Sequence, residues 1–276
     1  ASGTFFNSIK AENSGTTAVG ASGFYSFRHK IEGFVLRPLR MGQSNAQSFT
    51  VSFWVKSSIA PSTHTVGIIN GALNRANRSE FTISSANTWE YKSVTFAGDT
   101  TGTWATNNTN AMYLDIVIAH GSGNVNTANT WTADSTEGTT GTTNTWPTNN
   151  GATFYTTGVQ LEVGSQATPF EHRSYGKELS LCQRYFQVHD QIQMAAYVDG
   201  GFRRAESYVA FPVEMRATPS VNTLNAGNSS NIRSPATTYA GLQMALSKNG
   251  ATLHMESNGS GYMYINQRKQ SLDAEL

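Results

Sequence analysis

TGVQLEVGSQATPFEHRSYGKELSLCQRYF, residues 157–186, changes its apolar period halfway along. Val159, Leu161 and Val163 alternate with Gln160 and Glu162, the two-residue period of a half-buried strand. Gly164 ends that strand, and Pro169 biases Thr168 toward an extended conformation, so a non-helical loop follows. Leu179, Cys182 and Phe186 then recur at i, i+3 and i+7, one stripe of a short helix on which Cys182 reads as a packed thiol. Strand-like sequence resumes beyond it. The stretch therefore reads as the last strand of one β domain, a clip, and the entry to a second. The expected divisions are residues 1–170, a clip with a short helix over 171–189, and a smaller β domain over 190–276.

Upstream, the same alternation recurs. Phe49, Val51, Phe53 and Val55 face one way, and Thr50, Ser52, Trp54 and Lys56 the other. Strands are predicted over Thr4–Lys10, Tyr25–Ile31, Thr65–Asn70, Glu80–Ser84, Trp89–Phe96, Met112–Ala119, Ala152–Thr156 and Val159–Val163. An edge segment over Phe34–Leu39 is broken by Pro38, and Asn74–Ser79 reads as a turn. In Met112–Ala119 even the second face is partly apolar, which predicts a strand in the middle of a sheet. Gly121–Asn150 is a long Thr-, Asn- and Gly-rich loop, and Trp131 and Trp146 within it argue that it is ordered. Short strands at this spacing predict an all-β fold, a β-sandwich.

Beyond the clip, Gln191–Asp199 and Phe202–Phe211 around Gly200-Gly201 read as a hairpin. Ala251–Glu256 and Tyr262–Asn266 around Asn258–Gly261 read as another, and Asn225–Thr238 as a polar excursion at an exposed tip. About 90 residues bury only a modest core, so association of identical chains is expected to cover what remains apolar.

Three blocks occur in order: QSFTVSFWVKSS (Gln47–Ser58), ANTWEYKSVTFAGDTTGTWATNN (Ala86–Asn108) and the opening stretch. Together they resemble virion appendage and tail-fibre-like proteins of tailed bacteriophages, over roughly residues 24–186. That resemblance implies a jelly-roll domain similar to carbohydrate-binding modules, followed by a short helix and a smaller second β-sandwich domain. It also implies a homotrimer of identical chains, other virion proteins as partners, host-surface glycans as ligands, and a place on the phage particle. A start at Ala1 is then expected to mean a fragment of a longer virion protein that lacks some N-terminal strands. Two further roles stay open: a capsid cement or head-fibre decoration without a ligand, and the binding module of a polysaccharide-degrading appendage.

Charged residues are 13% of the chain, against roughly 25% in an average soluble protein, and the net charge is +1. Nucleic acid is therefore not an expected partner, since its binding leans on clustered Lys and Arg. No apolar run approaches the roughly 20 residues of a membrane span, so membrane insertion is not expected. A single cysteine excludes an internal disulfide. There is no G-x-S-x-G elbow, no phosphate loop and no paired-histidine zinc motif, and the histidines at 29, 64, 120, 172, 189 and 254 are scattered. Asp115 and Glu162 are the one carboxylate pair on strands that glycoside hydrolysis could use, and they read better as surface or structural groups. No enzyme and no cofactor is expected. A structural Ca²⁺ is the one ion that the resemblance makes reasonable. What remains is aromatic surface. Trp54, Trp89, Tyr91, Trp104, Trp131 and Trp146 stand among Asn, Thr and Ser, the mixture that stacks on the flat faces of sugars and bonds their hydroxyls.

Overall fold

A computed structural model describes residues 5–199, 203–223, 232–233, 239–257 and 260–275. The chain divides into two compact units, Ala1–Glu171 and His172–Glu275. The first holds strands β1 (Ile9–Glu12), β2 (Phe24–Glu32), β3 (Phe49–Ser57), β4 (Ser62–Asn70), β5 (Ala76–Ile83), β6 (Glu90–Phe96), β7 (Asn110–His120) and β8 (Thr153–Val163). They form two four-stranded sheets, in the orders β1-β8-β3-β6 and β2-β7-β4-β5. Every pairing is antiparallel. Eight antiparallel strands in these two orders make a jelly-roll sandwich.

The alternation on β3 causes that arrangement. Phe49, Val51, Phe53 and Val55 are fully buried, and Val66, Ile68, Phe81, Ile83, Leu114, Ile116 and Ile118 of the other sheet complete the same core. Each such side chain contributes about 1.5–3 kcal/mol on leaving water. β7 lies between β2 and β4, and both of its faces are largely buried, as its sequence predicts.

Several elements differ from expectation for local reasons. The predicted strand over Thr4–Lys10 begins only at Ile9, where pairing with β8 starts. Phe34–Leu39 is not an edge strand but turns and a short 3-10 helix, with Pro38 supplying its start. Ala76–Ser79 is strand rather than turn, because β4 and β5 pair up to Ile69↔Ala76. The two strands predicted at 152–156 and 159–163 are one strand, β8, interrupted by a bulge. Ser52 pairs with Gln160 and Trp54 with Thr157, so Phe53 faces both Gly158 and Val159. Gly158 takes φ +59°, and a Cβ there would meet the Phe5 ring at 2.4 Å.

The second unit begins with helix α1 (Tyr175–Gln183) and strand β9 (Phe186–Asp199). β10 (Arg203–Ala210), β11 (Ser220–Thr223), β12 (Ile232–Arg233), β13 (Tyr239–Leu246), β14 (Gly250–Ser257) and β15 (Ser260–Asp273) follow, so among its described residues α1 is the one helix and the regular structure is otherwise β. Neither predicted hairpin forms. β9 pairs with β15 from Phe186↔Asp273 to Asp199↔Ser260, and β10 pairs with β14. A strand of 14 residues satisfies far more of its backbone against another of 14 than against one of 8. The tight hairpin is instead β13–β14, where the Ser247 hydroxyl accepts the Asn249 and Gly250 N–H groups. The Gly200-Gly201 turn, Asn258-Gly259 and most of Asn225–Thr238 lie outside the described residues. Met215, Leu272 and Ala274 form a small core, and the Arg216 guanidinium ties the Ala274 and Glu275 carbonyls at 2.7 and 2.8 Å. No residue of α1 is buried: Leu179 is 40% exposed, and Cys182 is an exposed free thiol rather than a packed one. Phe186, expected on the same helical stripe, instead opens β9 and is 41% exposed.

One core residue makes the sandwich sensitive to acid. His64 of β4 is buried between the rings of Phe81 and Phe154. Its Nδ1 lies 3.0 Å from the Ile118 carbonyl, which can only accept, so Nδ1 carries the proton. Nε2 faces the Ser62 hydroxyl at 2.9 Å, whose single proton also has the Ile59 carbonyl within reach at 2.9 Å. Burial lowers its pKa to about 4, against the pull of its backbone hydrogen bonds. The folded state therefore takes up the proton less readily than the unfolded one. The stability this provides is complete above about pH 6.5 and is lost as pH falls toward about 4. Denaturant titrations should show a loss on the order of 3 kcal/mol over that window. His64→Leu should shrink the slope without abolishing it, because burial shifts His29 and His189 the same way.

Candidate functional site

A sandwich has two outer faces, and this one treats them differently. The face of β2-β7-β4-β5 carries a charged row: Arg28 pairs with Asp115, Asp115 with Gly67, and Gly67 with Arg78. The loop Gly121–Asn150 folds over that row as a roof. Thr132 bridges to Ala76 and Val125 to Gly138. Gly138 presses so close to the His120 ring that a Cβ would lie 2.1 Å from it.

Side chains lock the roof down. Arg28 donates to both oxygens of Asp115 at 2.8 Å and, at the same distance, to Glu137. Arg78, with no exposed surface, donates to the Thr136 carbonyl at 2.6 Å, to Thr132 Oγ1 at 2.8 Å and to Asp134. Thr65 reaches Thr139 and Thr142 through buried hydroxyls at 3.2 and 2.9 Å. Burial works against the charge on Asp134, yet hydrogen bonds from Thr132 and Thr136 and the charge of Arg78 hold its pKa below the usual range.

The face of β1-β8-β3-β6 is only half covered. The clip after β8 shields the end nearest Thr50 and Ser52. Thr50 donates to the Gly164 carbonyl at 2.8 Å, Gln160 accepts the Glu171 N–H at 2.8 Å, and Thr168 is bonded to Glu162. At the other end the register builds two rows. Tyr155 stands between Lys10 and Lys56, with Trp89 just beyond the Val55↔Glu90 pair, and Trp54 stands between Thr157 and Tyr91.

These side chains touch. Trp54 and Tyr91 are 5.6 Å apart between ring centroids, and Trp89 and Tyr155 are 6.2 Å apart. The Lys56 ammonium lies over the Tyr155 ring at 4.3 Å and over the Trp89 ring at 5.2 Å, with Lys10 5.9 Å from Tyr155. Tyr91 is 46% exposed, while Trp54, Trp89 and Tyr155 are half-buried. This is a ring-lined patch with hydroxyl and ammonium groups among the rings, open to solvent.

Of the residues singled out by sequence, the patch brings together Trp54, Trp89 and Tyr91. Trp104 and Trp131 form a separate edge-to-face pair 5.6 Å apart, and both indole N–H groups are engaged, by Asp99 at 3.0 Å and the Ala97 carbonyl at 2.8 Å. Trp146 does not sit in an open loop. It is 5% exposed, part of the core and packed on Tyr25, so it has no ring face to give a sugar. Asp115 and Glu162 lie on opposite outer faces of the sandwich, one bound to Arg28 and the other to Thr168, and cannot flank one glycosidic bond.

Tyr155, Lys56 and Lys10 went unremarked as site residues in the sequence. Lys56 does share the outward parity of Trp54, but pairing across strands cannot be read from parity alone. Among the described residues no group of three or more His, Cys, Asp or Glu is placed to hold a metal ion, and no helix is long and apolar enough to cross a membrane. Between Asp115 and Glu137, the position a Ca²⁺ would suit, stands the Arg28 guanidinium.

Removing one member of the roof network leaves buried charge uncompensated. Arg78→Met should cost about 3–5 kcal/mol in denaturant titration and open residues 121–150 to limited proteolysis. Lys10→Met, which removes the exposed pair with Glu12 and a contact with the Tyr155 ring, should leave the thermal midpoint and the proteolysis of residues 121–150 unchanged.

Comparison of the chain with protein-family models and with curated proteins finds no match.

Proposed function

We propose that the chain is a non-enzymatic structural component of a tailed-phage particle, a tail fibre or appendage. In this reading its jelly-roll unit holds host-surface glycans on the patch of Trp54, Trp89, Tyr91 and Tyr155. The observation that carries the glycan reading is the asymmetry of the two outer faces. One is sealed by its own loop, and the other leaves rings, hydroxyls and ammonium groups in contact with water. Sugar rings present C–H faces that stack on aromatics, and Thr157, Ser93 and the lysines stand ready to bond their hydroxyls. The phage assignment rests on the three ordered sequence blocks. Single contacts of this size are weak, and copies joined in a homotrimer or bound to other virion proteins would convert them to firm attachment through effective concentration.

A second reading is favoured by the apolar side chains of the second unit that stand in solvent, Tyr175 at 81%, Tyr208 at 59% and Val188 at 44% exposed. They suit a decoration protein that packs against virion neighbours and has no ligand.

Glycan arrays probed with the assembled protein decide between the two. Binding to surface saccharides is expected, weakened about tenfold in Trp54→Ala and in Tyr91→Ala at unchanged thermal midpoint. The viscosity of a bound polysaccharide should stay constant on incubation. An array with no signal leaves the decoration role, and falling viscosity would make the chain part of a degrading appendage.

A further inference from the structure

We infer that the ring-lined patch selects saccharides that carry an anionic group, a carboxylate or a phosphate, and that Lys56 is the residue that recognises it. This deepens the glycan reading above and rests on it.

Lys56 is half-buried on β3 with its Nζ over two rings, Tyr155 at 4.3 Å and Trp89 at 5.2 Å. Ring faces attract a cation but carry no net charge, so they hold the ammonium in place without neutralising it. Among the described residues Lys56 has no carboxylate partner. The neighbouring cation, Lys10, is bonded to Glu12. Glu90 and Lys92 are paired with each other at 2.7 Å, on the inward-facing side of β6, since Tyr91, Ser93 and Thr95 point outward. The remaining carboxylate of the outer face, Glu162, pairs across from Thr50, six positions along β3 from Lys56. That is about 20 Å away at the rise of a strand. At 0.1 M salt the Debye length is about 10 Å, so Glu162 does little to offset the ammonium.

The open patch therefore carries one fixed, uncompensated positive charge beside rings that suit a sugar face. A neutral saccharide would leave that charge unanswered. An anionic one would meet it with a charge-assisted hydrogen bond while its ring lies on Tyr91 and Trp54. Around the opposite, roofed face Arg28, Arg75 and Arg78 are all paired with acids. Lys56 differs from them, and it stands in the open aromatic patch.

Matched pairs of immobilised oligosaccharides test this. Uronate and sialic-acid oligosaccharides are compared with their carboxyl-reduced twins, and phosphorylated oligosaccharides with their phosphatase-treated twins. The wild-type assembly should prefer the acidic member of one set by at least tenfold at low salt, with the preference shrinking as salt is added. Which set shows it identifies the anion. Lys56→Met should bring the ratio close to one, and Lys56→Arg should keep it. Equal binding to both members of every pair would overturn the anionic selectivity and leave the glycan site standing. A persistent preference in a folded Lys56→Met protein would overturn the role of Lys56. Binding to no saccharide at all would remove both this inference and the glycan reading beneath it.

Discussion

A strand whose apolar residues come every second position can bury only one of its faces, and the first unit follows from that constraint. With Phe49, Val51, Phe53 and Val55 committed to the core, Thr50, Ser52, Trp54 and Lys56 must look outward. The same holds across the pairing partners, because residues opposite each other in an antiparallel ladder share a face. One bulge, at Gly158–Val159, keeps the parity right on both sides of it. Phe154 and Thr156 are on the inner side before it, and Leu161 and Val163 after it. Without the extra residue, every side chain of β8 on one flank would be turned to the wrong side.

What distinguishes the two outer faces is how they satisfy polar groups. Over β2-β7-β4-β5 a loop brings its own acids and carbonyls to two arginines. Ion pairs buried this way contribute little net stability, because desolvation offsets much of the attraction. Their effect is to define one position for a 30-residue loop whose composition would otherwise suit disorder. Apolar packing alone could not do it, since Trp131 and Trp146 are the only large apolar side chains the loop brings. The roof is thus held by charge and hydroxyls together with two indoles.

Much of this was legible in the sequence. Period-two stripes located β2, β3, β6 and β7 to within a residue or two, put β7 in the middle of a sheet, and placed Trp54 and Tyr91 on the solvent side of the core strands. The misreadings share a cause: local pattern says which residues alternate but not what they pair with. Nothing near Gly200-Gly201 announces that β9 will pair with a strand sixty residues on. The stripe Leu179–Cys182–Phe186 is helical only as far as Cys182, because α1 ends at Gln183 and Phe186 opens β9. Trp146 looked exposed because its sequence neighbours are polar, whereas the Trp146–Thr148 turn drops the ring into the core beside Tyr25. Asp115 and Glu162 looked combinable because parity within a strand carries no information about which sheet the strand joins.

The same pairing rule explains why the open patch has the composition it does. An outward position on a central strand has neighbours on both sides, so its side chain must find company across the sheet. Lys56 finds Tyr155 on one side and Trp89 on the other. Tyr155 in turn has Lys10 beyond it, giving a row in which rings and ammonium groups alternate. Within this row Lys56 is held without a carboxylate, because its ammonium rests against two rings. It can therefore remain open to water where the arginine row on the opposite face had to be roofed and matched. Guanidinium groups on one side are matched by the chain's own acids, while the Lys56 ammonium on the other rests on rings.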